Sequence, residues 1–271
     1  MSLNVSIVRY EQSYEEIEQI IGLLKQTDCV STIYLIDNSK NKDQLLERLN
    51  IEYSFNGNNL GFGAAHNIAL RKSIENNAKY HLILNSDIIF APVIWKNVIE
   101  YMDENQDVGA LMPKVFYPDG RVQHLCKLLP TPADLFSRRF LPDMWTKRRM
   151  HTFELIDSMY DKVMNIPYLS GCCMMLRVDV LKDVGLFDER FFLYPEDLDL
   201  SRRIHQNYKT VFYPYVSIIH AHNRGSYTNV RLLWIHSVNM IRYFNKWGWF
   251  DDPERKKVNE EIINSLKQLV V

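Results

Sequence analysis

What is missing from this 271-residue sequence narrows its class first. It has no run of about 18 apolar residues, the length that reads as a membrane-spanning helix. The opening MSLNVSIVRYEQS has no charged start followed by an apolar core, so no secretory leader is expected. Charge of one sign is also missing. The net charge is -1, which supplies no global field for nucleic acid and argues against it as a partner. Cysteine is scarce: Cys29, Cys126, Cys172 and Cys173 show no CxxC spacing and no metal-ligand array. A reduced, cytoplasmic protein is the expectation. There is no internal repeat and no low-complexity segment. The glycine-rich stretch FNGNNLGFG at 55–63 is not a GxGxxG fingerprint, and no lysine follows it as in a P-loop.

What is present alternates between strand and helix patterns. Val5 to Val8 reads as a buried strand. Ser13 and Glu16 then form a capping box for a helix carrying Ile17, Ile20, Ile21 and Leu24. Ser31 to Ile36 reads as a second strand, 43–49 as a helix, and Ile51 to Ser54 as a third strand. Ala64 to Glu75 is a helix, Tyr80 to Leu84 a strand, and Pro92 opens a helix to about Asn105. Val108 to Met112 is a strand, and Pro118-Asp119-Gly120 turns a hairpin of 114–117 and 121–125. Cys172 to Leu176 and Thr210 to Ile219 are further strands. Amphipathic helices follow from Val230 to Trp247 and from Asp252-Pro253 to about Leu269. Such alternation predicts an α/β fold with a mostly parallel sheet, whose ligands bind beyond the carboxyl ends of the strands. Tyr10 and Asp37 fall at such ends.

Several residues there have chemistry to offer, each with a plainer alternative. Asp87 follows a buried strand and is bracketed by apolar residues, where a carboxylate needs a partner or a metal. It fits equally a turn aspartate bonded to backbone. His220 and His222 end a strand on the same side. One could ligate a metal while Arg224 meets phosphate, or both histidines could belong to a polar surface turn. Glu196 and Asp197 open a helix after the aromatic run Phe191, Phe192 and Tyr194, as a general base requires, yet acids are common at helix starts. The stretch 127–165 mixes prolines, a basic cluster and apolar residues. It suits a membrane surface or a pyrophosphate-lipid, or a solvated insertion whose apolar residues pack on the domain.

Taken in order, SIVRY at 6–10, LIDNS at 35–39, NNLGFGAAHN at 58–67, LNSD at 84–87, SGCCMMLR at 170–177, GLFDERFFLYPEDLDLSRR at 185–203 and HAHNRGS at 220–226 resemble the family 2 glycosyltransferases. These are inverting enzymes of GT-A fold, and the likeness is to a rhamnosyltransferase-like bacterial branch that builds surface polysaccharide. The resemblance implies a GT-A catalytic domain over 1–226, with a nucleotide-binding part at 1–112 and an acceptor part at 113–226. Residues 227–271 would be a C-terminal helical extension packed on it. Tyr10 and Asp37 would contact the nucleotide base, while Asn59, Gly61 and Asn67 would border nucleoside and phosphates. The family usually has Thr before an equivalent Tyr, where this chain has Arg9. Asn85-Ser86-Asp87 stands in the place of the DxD motif, with Asn85 in the first carboxylate position. Asp87 and His220 would bind Mg²⁺ or Mn²⁺, with Arg224 and Ser226 on the diphosphate. Asp197 would be the catalytic base, with Glu196 and Asp199 orienting it or binding acceptor, and Gly171 and Tyr194 on the acceptor side.

The implied partners are a nucleotide-sugar donor, of dTDP-rhamnose or UDP-hexose type, and a glycan or lipid-linked acceptor. Peripheral contact with the inner face of a membrane and self-association are compatible with this. Competing readings are a nucleotidyltransferase that makes an activated sugar, and a non-catalytic nucleotide- or glycan-binding subunit. The first normally needs a glycine-rich, basic loop after strand one, which SIVRYEQSY is not.

Overall fold

Alternation along the strands dictates a sheet covered on both faces. The structure is a computed structural model and is described for residues 2–134, 143–221 and 230–268. Among these residues the strands are β1 (Leu3–Arg9), β2 (Val30–Asp37), β3 (Glu52–Phe55), β4 (Tyr80–Leu84), β5 (Ile88–Ile89), β6 (Val108–Phe116), β7 (Met164–Asn165), β8 (Cys173–Arg177) and β9 (Lys209–His220). The helices are α1 (Tyr14–Lys25), α2 (Phe62–Glu75), α3 (Ile94–Glu104), α4 (Asp143–Phe153), α5 (Val178–Val184), α6 (Glu196–His205), α7 (Val230–Trp247) and α8 (Pro253–Gln268). The strands form one sheet in the order β3-β2-β1-β4-β8-β6-β9-β5, with β7 on β9. Strands β3, β2, β1 and β4 are mutually parallel, as are β6 and β9. β8 runs antiparallel to both β4 and β6, so those two parallel sets share one direction.

In β8, Cys173 and Met175 belong to one apolar cluster while Met174 and Leu176 belong to the other. That is the period of two expected of a strand buried on both faces. Ile17, Ile20, Ile21 and Leu24 of α1, with Trp95, Val98, Ile99 and Met102 of α3, cover the first face. Leu70 of α2, Val180 and Leu181 of α5, and Leu200 and Ile204 of α6 cover the second. The predicted capping box forms in full: Glu16 N donates to Ser13 Oγ, and Ser13 N donates to Glu16 Oε2.

Three local expectations change. The helix expected over 43–49 is a single 3₁₀ turn, Leu46–Leu49, which buries Leu46 and Leu49 at the i, i+3 spacing that such a turn eclipses. The strand expected to stop at Met112 continues to Phe116, because Lys114, Val115 and Phe116 pair with Ser217, Ile218 and Ile219 after a register shift. The hairpin beyond it shrinks to one bridge, Phe116 to Val122. Of the stretch 127–165, residues 135–142 lie outside the described residues. Leu128, Leu129, Phe153, Leu155 and Tyr160 are buried in the domain.

α6 is fastened to the C-terminal helices through Arg202, whose side chain is 1% exposed. It donates to both carboxylate oxygens of Asp252, at 2.8 and 2.7 Å, and to Glu254 at 2.7 Å. The Trp247 ring lies against its guanidinium, 4.1 Å from the centroid.

Candidate active site

Because β8 runs opposite to β4, the start of β8 lies beside the end of β4. Leu84 pairs with Cys173, and Asn85 N donates to the carbonyl of Cys172 at 2.9 Å. One residue back, Gly171 N donates to Asp197 Oδ2 at 3.0 Å. Two backbone links therefore join the Asn85-Ser86-Asp87 turn to the first turn of α6. The same end of the sheet carries His220, since β9 closes against β5 with Ile88 opposite His220.

Asp87 and His220 face each other, with Oδ1 3.3 Å from Nε2. Asn85 Nδ2 lies 3.4 Å from the same ring nitrogen. Gln123 fixes the ring from behind: its amide donates to the His220 carbonyl at 2.7 Å, and its Oε1 is 3.1 Å from Nδ1. Burial works against a charged His220, but the Asp87 carboxylate and the Cys172 sulfur outweigh it and bring its pKa up to about 10. Two cis ligands of an octahedral Mg²⁺ sit roughly 3 Å apart, given its bond lengths near 2.1 Å. The Asp87–His220 spacing fits that with little movement. Among the described residues no group of three or more His, Cys, Asp or Glu side chains gathers for a metal. A cation here would need oxygens from substrate or water, as Mg²⁺ sites ordinarily do.

At the first turn of α6, Asp197 Oδ2 accepts from Gly171 N and Oδ1 from Leu198 N at 2.8 Å. Burial raises its pKa, and those amides only partly offset this. Glu196 is 3% exposed and its Oε2 has no hydrogen-bond partner among the described residues. Burial, then the Asp197 charge, push it well above the ordinary carboxylate range. Two carboxyls held in this state suit proton transfer at neutral pH. Gly171 leaves them room, since a Cβ there would stand 3.2 Å from Asp197 Cβ and 3.1 Å from the Phe62 ring. Tyr194 stands just before this turn, 36% exposed, with its ring edge-on to His236.

The glycine loop bridges the two parts. Gly61 has φ +90, and a Cβ there would come within 2.2 Å of the Phe192 carbonyl oxygen. Phe62 N donates to that oxygen at 3.0 Å. Asn59 Oδ1 accepts from Gly61 N at 2.9 Å, and Asn38 Nδ2 donates to the Gly61 carbonyl at 3.1 Å.

The structure gathers Tyr10, Asn59, Gly61, Asn85, Asp87, His220, Gly171, Glu196 and Asp197 along this end of the sheet. It does not bring Asn67 or Asp199 there. Asn67 is 1% exposed, and its amide is committed to the backbone of Phe187 and to Glu189. Asp199 is enclosed by Arg203, Lys246 and the Trp247 indole. Asp37 is 0% exposed beneath the edge, bonded to Arg9, Tyr53 and Ser39. Arg224, Ser226 and His222 lie outside the described residues. Asn38 and Gln123 were missed. Asn38 stands inside LIDNS and could have been noticed, but Gln123 acts across 97 positions and left no local signal.

A family model described as glycosyl transferase family 2 matches residues 6–185. The N-acetylglucosaminyl-diphospho-decaprenol L-rhamnosyltransferase of Mycobacterium tuberculosis is 26% identical over 211 residues, covering 73% of this chain and 69% of that protein. Among solved structures, GalNAc-T7 with UDP, GalNAc and Mn²⁺ superposes with a TM-score of 0.65 at 15% identity, over 94% of this chain. The mannosyltransferase PcManGT from Pyrobaculum calidifontis, with GDP-Man and Mn²⁺, gives 0.56 at 16% over 89%. The chain spans 49% of the first of these two structures and 64% of the second. Both likenesses place the fold among GT-A glycosyltransferases.

Proposed function

Because the chain belongs to glycosyl transferase family 2, we propose that it moves a sugar from a nucleotide-diphospho-sugar to a hydroxyl of a glycan or lipid-linked acceptor, with inversion, in surface polysaccharide synthesis. The observation that carries this reading is Asp197, held by the Gly171 amide two backbone links from the Asp87–His220 corner. The lipid-linked alternative draws on the Mycobacterium tuberculosis relative, whose name specifies rhamnosyl transfer to a diphospho-decaprenol acceptor. A dTDP-rhamnose or UDP-hexose donor is the proposed class.

In this reading the ends of β1 and β2, with Tyr10, hold the nucleoside, and the Asn59–Gly61 loop borders the phosphates. Arg224 adds charge-assisted hydrogen bonds to the diphosphate. Asp87 and His220 hold a divalent cation, Mg²⁺ or Mn²⁺, which when bound neutralises charge on the departing nucleoside diphosphate. Asp197 accepts the proton of the acceptor hydroxyl. That oxygen bonds to the anomeric carbon as the bond to the diphosphate breaks on the opposite face, and the pair of electrons leaves with the nucleoside diphosphate. Burial and the Asp197 charge make Glu196 hold a proton more readily than a free glutamate, which eases the negative charge beside Asp197. A lipid-linked acceptor would bring the protein to the inner face of a membrane as a peripheral visitor. No helix among the described residues is long and apolar enough to cross one.

The test is release of nucleoside diphosphate from a panel of nucleotide sugars, with and without Mn²⁺. Metal-dependent release from one donor class, lost in Asp87→Asn, is expected. Pyrophosphate formation from a nucleoside triphosphate and a sugar phosphate would replace this reading with a nucleotidyltransferase. Donor binding without turnover across a broad acceptor panel would replace it with a binding subunit.

A further inference from the structure

α7 has two faces. Asn239, Met240, Tyr243 and Phe244 point into the domain and are buried. On the far side Val230, Trp234, Ser237 and Ile241 recur at the spacing of one helical face. Val230, Trp234 and Ile241 are exposed, Trp234 by 67%. Ser237 donates its hydroxyl to the Leu233 carbonyl at 2.9 Å, so it does not break the apolar line. Asn245 continues that line by one turn and accepts from the Trp249 indole at 2.8 Å, which sets a second large ring at its end. Single exposed apolar residues are ordinary, but a continuous ridge with two tryptophans marks a contact surface.

The charge on this helix is one-sided. α7 contains Arg231, Arg242 and Lys246 and no acid. No Asp or Glu occurs anywhere from Leu200 to Phe250, although acids and bases are nearly equal over the chain, 33 against 32. Lys246 is shared by Asp188 and Asp199, and Arg190 pairs with Asp188. Arg242 is held differently. Its Nη1 donates to the Arg190 carbonyl at 2.7 Å and to Asn239 Oδ1 at 3.0 Å, and no carboxylate pairs with it among the described residues. It stands beside Ile241 and lines, with Arg190, Phe191, Asn245 and Lys246, a cavity of about 430 Å³.

An apolar ridge edged by a fixed guanidinium fits a bilayer with anionic headgroups. Tryptophan favours the boundary between headgroups and acyl chains, and arginine meets phosphate through charge-assisted hydrogen bonds. The same helix is tied to the proposed acceptor side. Asn239 Nδ2 donates to the Leu193 carbonyl at 3.0 Å, and Arg242 holds the Arg190 carbonyl. α7 thereby braces the loop that leads into Tyr194, Glu196 and Asp197.

We propose that the outer face of α7, formed by Val230, Trp234 and Ile241 with Arg242 beside them, docks the protein on an anionic lipid surface. The ridge enters the headgroup boundary and Arg242 takes a headgroup phosphate. Lipid docking gives the peripheral membrane contact a location on the molecule. That it brings a membrane to the acceptor side rests on the glycosyltransferase reading; the docking itself does not.

The test is co-sedimentation of the full chain with vesicles of phosphatidylcholine alone and of equal parts phosphatidylcholine and phosphatidylglycerol, with no donor or acceptor present. Binding to the mixed vesicles should be roughly tenfold tighter or more and should weaken as salt rises. Arg242→Gln should weaken it about fivefold, the share of one basic residue near such a surface. Trp234→Ser/Ile241→Ser should weaken it roughly 10- to 100-fold, since two large apolar side chains leave the boundary. An unchanged melting midpoint checks that these exposed substitutions leave the fold intact. Equal binding to both vesicle types, no binding to either, or binding that the folded double variant keeps within twofold overturns the proposal. So does a dimer in solution that the double variant dissociates, which assigns the face to a second copy. Failure here leaves the transfer reading standing, and an inert donor panel leaves lipid docking standing.

Discussion

Glu196 and Asp197 open α6, while Asp199, in the same first turn, and Arg202 beyond it are tied to the C-terminal helices, and the two pairs use charge in opposite ways. Asp199 meets three side-chain donors, Arg203, Lys246 and Trp247. Arg202 meets two carboxylates. Asp197 is held by backbone amides, and among the described residues Glu196 keeps one oxygen unpartnered in a buried place. Asp199 and Arg202 are neutralised by these partners and fasten α7 and α8 to the domain. Burial leaves Glu196 and Asp197 at raised pKa, a cost in stability. Asp37, bonded to Arg9, Tyr53 and Ser39, belongs with Asp199, so position near the carboxyl end of the sheet does not by itself set how a carboxylate is held.

This contrast can be broken most heavily at Arg202. Arg202→Ala takes from buried Asp252 its bidentate partner, leaving Arg255 3.6 Å away, and should cost about 3 kcal/mol in denaturant titration. The fraction still folded should keep its transfer rate within a few-fold; a stable but inactive variant would move Arg202 into the site. Asp199→Asn is milder, since Arg203 and Lys246 are partly exposed and can turn to water. A loss of about 1–3 kcal/mol is expected, again with the rate kept. Measured rates falling as far as those of an Asp197 variant would erase the distinction between Asp199 and the Glu196–Asp197 pair.

The smallest effect has the opposite sign. Glu196 and Asp197 have folded pKa values raised above their unfolded range near 4. Between that range and the raised values the native state holds more protons than the unfolded chain, so this pair's contribution to stability falls as pH rises. Glu196→Gln should therefore stabilise the protein at neutral pH by about 1 kcal/mol, the lower end for relieving an unsatisfied buried group. It should also flatten the decline of the melting midpoint as pH rises above the ordinary carboxylate range. A melting midpoint lowered at neutral pH would show that ionised Glu196 stabilises the fold.

Much of the fold was legible because its signals are local. The capping box at Ser13, the strand at 80–84 and the helix ending at Trp247 each follow from short-range pattern. The extension of β6 to Phe116 depends on a partner about a hundred positions away and was not. The site divides in the same way. Which residues reach the carboxyl end of the sheet could be read from strand endings and motif order. How each of them is held could not: Asp37, Asn67 and Asp199, tied into the domain, look alike in sequence to Asp197, which backbone amides hold. Their partners, Arg9, Phe187 and Lys246, are long-range or depend on how a side chain turns.

The most direct measurement is donor affinity and transfer rate taken side by side on Asp197→Asn. Nucleotide-sugar binding with Mn²⁺ should stay within about threefold, half a decade or 0.7 kcal/mol. The rate should fall by about 10²–10⁴-fold, the usual contribution of a general base. A variant that transfers sugar at the parental rate, or that loses the rate only because it no longer binds donor, contradicts the assignment of Asp197 as the base.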